Sequence, residues 1–70
     1  MKHEQINLKT EFIELAALLK FSGVSTSGGQ AKVLIADGHV KVNGEVCQMR
    51  GKKIRKGDTI EVEETIIEVL

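Results

Sequence analysis

The sequence predicts an α+β domain, two helices packed on a small, mostly antiparallel sheet. Three observations carry that expectation. Apolar residues recur at helical spacing in two stretches before residue 38, the period changes to two from His39 onward, and Asn-Gly and Gly-Asp pairs punctuate the later half as turns. Seventy residues make a single domain spanning 1–70, with a modest core.

Taken in order, Ile6 and Leu8 flank Asn7 and read as a short strand. Thr10 is placed to cap a helix whose first turn holds Glu11 and Glu14, where the helix dipole favours negative charge. Phe12, Leu15, Ala16 and Leu19 follow at helical spacing, so the first helix is expected over Thr10 to Phe21, with Phe12 and Phe21 in the core and Gly23 as the stop. Ser27 is the expected N-cap of the second helix, with Gln30 in capping-box position. Ala31, Leu34 and Ile35 form its apolar face, and Gly38 is the left-handed residue that ends it. Val40, Val42 and Val46 are then expected to point one way and Lys41 the other, around a two-residue Asn43–Gly44 hairpin turn. Gly57 supplies a second turn, Ile60 and Val62 alternate with glutamates, and Ile67 and Val69 start a last strand. The chain is expected to be a monomer, with Ile66–Leu70 the edge that a second chain would pair with.

Composition narrows the function classes. No apolar run approaches the roughly 20 residues that cross a bilayer, and "MKHEQINLKTEF" lacks the apolar centre of a signal peptide, so a cytoplasmic location is expected. Cys47 is single, which fits a reducing compartment, and reads as a half-buried strand residue. His3, His39 and Cys47 match no zinc spacing, and no metal or cofactor is expected. No paired-carboxylate, Ser-His or Cys-His pattern stands out, so the chain is read as non-enzymatic.

The formal net charge is zero, but it is unevenly distributed. Residues 20–56 carry eight cations against two carboxylates, +6, and residues 57–70 carry five carboxylates and no cation, −5. That asymmetry predicts one basic and one acidic face. Gly28 and Gly29 fall among the unpaired N–H donors at the start of the second helix, where a phosphate could approach the backbone, with Lys32 one turn in. The same glycines would equally serve close packing of the two helices. Lys20 ends the first helix, Lys41 lies on the outer face of a strand, and "RGKK", Arg50 to Lys53, is a compact basic loop. With two Phe, both expected inside, and no Tyr or Trp, base stacking on exposed rings is not expected. Recognition of structured RNA through phosphates and shape is the mode left open.

"LLKFSGVSTSGGQAKVLIADGHVKVNGEV" followed by "RGKKIRKGDTIEV" resembles the RNA-binding domain of ribosomal protein S-four, the alpha-L motif, and is most similar to its small stand-alone bacterial members. The resemblance spans Leu18 to Val62. It implies two helices over a curved sheet and non-catalytic binding of structured RNA, usually ribosomal or transfer RNA, and the leading expectation adds action on ribosomal RNA or during ribosome assembly. Carried over by position, it implies RNA contacts at Ser27, Gln30, Lys32, Lys41 and the loop Arg50–Lys53. Lys20, Gly28 and Gly29 join these from the charge and backbone reading. Many family members have Arg after the motif serine where this chain has Gly28, and "RGKK" is expected to compensate. The competing expectation is a protein-interaction module acting through the acidic C-terminal strand.

Overall fold

The computed structural model describes residues 2–24 and 28–70. The chain runs through strand β1 (Lys2–Ile6), β2 (Ile13–Glu14), helix α1 (Leu15–Phe21), helix α2 (Gly28–Ala36), then β3 (Val40–Val42), β4 (Glu45–Val46), β5 (Lys53–Ile54), β6 (Thr59–Val62) and β7 (Thr65–Val69). Five strands form one sheet in the order β1-β7-β6-β3-β4, and β2 pairs with β5 in a separate two-stranded ribbon. Every pairing is antiparallel except β1 with β7. The expected α+β class with two helices on a mostly antiparallel sheet is what the chain forms.

Register explains the core. Val40 lies opposite Val62, Val42 opposite Ile60, Ile60 opposite Ile67, and Ile6 opposite Val69. Because side chains alternate across a strand, these residues share one sheet face, and all are buried. Leu15, Leu18 and Leu19 of α1, Ala31 and Ile35 of α2, and Ile54 complete the same cluster. The core reaches beyond the motif segment at both ends, through Ile6, Leu8 and Leu15 and through Ile67 and Val69.

Four expectations are corrected. Helix α1 begins at Leu15 rather than Thr10, because Ile13 and Glu14 pair with Ile54 and Lys53 as a strand. Thr10 therefore does not cap the helix; its hydroxyl donates to the Phe12 carbonyl at 2.8 Å. Phe12 and Phe21 are not core residues: Phe12 precedes the helix altogether, and Phe21 in the last turn is 73% exposed. Val46 lies opposite Lys41 and is exposed, on the other sheet face from Val40 and Val42, because the two-residue turn sets that register. Finally, β7 is an inner strand held between β1 and β6, so Ile66–Leu70 offers no free edge. The parallel return of the N-terminus, which sequence periodicity does not reveal, covers it.

The termination signals fared better. Gly38 has φ +80°, its N–H donates to the Ile35 carbonyl and that of His39 to the Leu34 carbonyl, a Schellman closure of α2. Gly23 takes φ +84° after α1. The Ser27 cap lies outside the described residues. Asn43 and Gly44 both have positive φ, 52° and 87°, as a type I′ hairpin turn demands.

Asn43 does more than turn the chain. Its Nδ2 donates to Asp58 Oδ1 at 3.1 Å, and its Oδ1 accepts from the Thr59 N–H at 2.9 Å. Asp58 Oδ2 in turn accepts from the Arg55 N–H at 2.8 Å. The hairpin tip is thereby latched to the turn between β5 and β6. Asn43→Gly should lose the latch but keep the turn, whereas Asn43→Ala should lose both. Urea unfolding is expected to show Asn43→Ala less stable than the parent by about 1–3 kcal/mol, and less stable than Asn43→Gly by about 1 kcal/mol.

Candidate nucleic-acid interface

The basic loop is placed by its backbone. Helix α1 has Glu14 at its N-cap position without a side-chain cap, which leaves its first N–H groups in need of acceptors. The loop provides them: Leu15 N–H donates to the Lys52 carbonyl at 2.9 Å and Ala16 N–H to the Arg50 carbonyl at 3.0 Å. A tight turn, closed by Lys52 N–H on the Met49 carbonyl at 3.1 Å, lets both carbonyls point the same way. Gln48 pins the other flank, its Nε2 donating to the Ala36 carbonyl at the end of α2 at 2.9 Å. With the Arg50 and Lys52 carbonyls turned to α1, the side chains of Arg50, Lys52 and the following Lys53 are exposed.

Between this loop and the β3–β4 hairpin runs a groove. Lys52, Lys53, Arg55 and Lys56 line it, together with Val46, Cys47 and Met49. Glu45 and Asp58 are its acidic members, and Asp58 is already engaged by Asn43 and the Arg55 N–H. Arg55 and Lys56 also border a neighbouring hollow with Lys9, Thr10 and Glu11, where three cations stand against one carboxylate. Among the described residues, the ion pairs are Lys2–Glu4 and Lys41–Glu61; none of the groove cations is neutralised that way. Lys53 instead lies 5.0 Å over the Phe12 ring.

The sequence-derived site residues divide into three groups. Lys52 and Lys53 line the groove, and Arg50 sits on the same loop. Lys41 is on the outer sheet face, where Glu61 pairs with it at 3.8 Å. Gly28, Gly29, Gln30 and Lys32 are in the first half of α2, and Lys20 is in the last turn of α1. Ser27 lies outside the described residues. The nine residues of α2 span about 12 Å, and it is the C-terminal end that meets Gln48, so the glycine start and the basic loop are at opposite ends of that helix. The connection leaving α1, Ser22 to Val24, shares a cleft with Glu63 and Glu64. The acidic turn thus sits at the end of the helical pair away from the basic loop.

Arg55, Lys56 and Lys9 were not singled out from the sequence. A signal was present for Arg55: Ile54 is fully buried between exposed Lys53 and Arg55, the two-residue alternation of a strand. Lys9 was hidden in a segment of net negative charge. Cys47 is half-buried just after β4, its N–H paired to the Val40 carbonyl. Among the described residues, no group of three His, Cys, Asp or Glu side chains is placed to hold a metal ion, and no helix is long and apolar enough to cross a membrane.

The S4 domain family model matches residues 6–70. The chain belongs to the S4 domain family. It is 41% identical over 58 residues to the "Probable ribosome maturation protein RlbA" of Bacillus subtilis (strain 168), covering 83% of this chain and 82% of the relative. It is 48% identical over 52 residues to the "Putative RNA-binding protein YbcJ" of Escherichia coli (strain K12), covering 74% of each. The solution structure of YbcJ, described as revealing an αL motif involved in RNA binding, superposes with a TM-score of 0.71 at 38% identity over all of this chain and 87% of that one. The alpha-L resemblance read from the sequence therefore holds for both family and fold.

The Lys53–Phe12 contact gives this S4 domain a measurable local coupling. A double-mutant cycle with Phe12→Leu and Lys53→Met should return a favourable coupling of about 0.5–1 kcal/mol in unfolding free energy. A coupling of zero would mean that the ammonium does not dwell over the ring.

Proposed function

We propose that this protein binds structured RNA, ribosomal or transfer RNA, through phosphate and shape contacts and without catalysis, and that it acts in the cytoplasm during ribosome assembly. The observation that carries the reading is the groove: four cations gather along one cleft of a chain with no net charge, and none of them forms an ion pair among the described residues. Phosphate oxygens are the ligands such a set takes up, and they position a nucleic acid without reading its sequence. The names of the relatives, one for ribosome maturation and one for RNA binding, support the same reading.

Within it, Arg50, Lys52 and Lys53, joined by Arg55 and Lys56, form the principal contact. Gly28, Gly29, Gln30 and Lys32, with Ser27 and Lys20, would form a second contact at the far end of α2. The domain is only 27 Å in its longest extent, so one folded RNA reaches both. Lys41 can exchange Glu61 for a phosphate at small cost, since an exposed pair of this kind is worth about 0–1 kcal/mol. The competing protein-interaction reading has the Glu63–Glu64 turn and its cleft in its favour. The C-terminal strand is paired on both edges, so such a partner would meet its outer face and not its backbone.

Fluorescence anisotropy with a folded RNA across a potassium chloride series tests the proposal. With about four phosphate contacts, log K should fall against log salt with a slope of about −3 to −4. Lys52→Glu/Lys53→Glu and Arg55→Glu/Lys56→Glu should each cost about tenfold or more in affinity and flatten that slope by about 2. Unchanged affinity and slope in both double variants would contradict the reading and favour a protein partner at the acidic turn.

A further inference from the structure

The groove is not uniformly polar. Lining it together with its cations are Val46, 55% exposed, and Met49, 67% exposed, with half-buried Cys47 between them in the chain. A cleft that held only phosphates would gain nothing from these side chains, since apolar groups do not solvate anions. In uninterrupted RNA duplex the base faces are stacked inside, and side chains meet phosphates and 2′-hydroxyls. Apolar side chains sharing a groove with a bank of cations fit a ligand that is both anionic and planar-apolar over a few ångströms. Within RNA, that ligand is a nucleotide whose base has left the stack. Met49 suits such a face, because its thioether is polarizable and makes favourable contacts with aromatic rings.

We propose that the wall of Val46, Cys47 and Met49 receives the face of one unpaired nucleotide while Lys52, Lys53, Arg55 and Lys56 hold its flanking phosphates, so that the RNA this protein takes is a bulge, loop or junction rather than a continuous duplex. The inference rests on the RNA reading above and adds the class of RNA element to it. The wall can be preformed at little expense: the loop that carries Met49 is already tied down at Arg50, Lys52 and Gln48.

The test compares two RNA hairpins of the same stem sequence, one fully paired and one with a single-nucleotide bulge in the stem, by anisotropy at one fixed salt concentration. The parent protein should bind the bulged hairpin tighter, by about three- to tenfold. In Val46→Ser/Met49→Ser the ratio between the two hairpins should fall to about one; both side chains are exposed, and urea unfolding of the variant confirms that it remains folded. Equal affinity of the parent for the two hairpins, or a ratio that persists in the variant, would overturn the inference and leave RNA binding by the groove standing. Failure of the parent itself to bind either hairpin would overturn the inference together with the RNA reading.

Discussion

The two hydrogen bonds from Leu15 and Ala16 to the carbonyls of Lys52 and Arg50 are the constraint on which the rest of this structure depends. A helix that starts without a capping side chain needs acceptors for its first N–H groups. Here a loop some 35 residues further along the chain provides them, held at the end of the short β2–β5 ribbon. The same contact solves a second problem. A loop of basic residues has little reason to adopt one conformation in water, since its side chains repel one another and bury nothing. Held by its backbone, it is fixed independently of its charges, and the charges are left outward. Fold stability and surface chemistry thus use different atoms of the same four residues.

That division also reconciles a neutral chain with an anionic ligand. Net charge governs the field at long range, but over distances shorter than the Debye length, about 8–10 Å at ordinary salt, the local arrangement decides. The latch between Asn43 and Asp58 helps here. It engages the Asp58 carboxylate with neutral donors and holds it in the turn between β5 and β6, and the remaining glutamates of the C-terminal segment are carried by the sheet and by the turn between β6 and β7. Only Lys41 among the expected contacts is brought against one of them.

Much of the fold was legible because it is written in local chemistry. Gly23, Gly38, Asn43–Gly44 and Gly57 each mark a positive φ that few other residues accept, and the alternation of Val40, Val42, Ile60 and Val62 fixes which sheet face is buried. What stayed hidden depends on partners far apart in sequence. Ile13 and Glu14 look helical until Lys53 and Ile54 pair with them, and the last strand looks like an edge until β1 closes on it in parallel. The site followed the same pattern. The basic loop could be read from "RGKK", but its distance from the glycine start of α2 could not, because that depends on which end of the helical pair the loop caps. The exposure of Phe12, Phe21 and Met49 was likewise set by tertiary register and not by residue type.

The central claim is that RNA meets this domain at the groove between the basic loop and the β3–β4 hairpin. The most direct measurement is a nitrogen-15 NMR titration of the full chain with a folded RNA. The account predicts the largest amide shift changes over residues 46–56, with the Glu63–Glu64 turn nearly silent. Changes centred on that turn and on β1, with residues 46–56 unmoved, would contradict it.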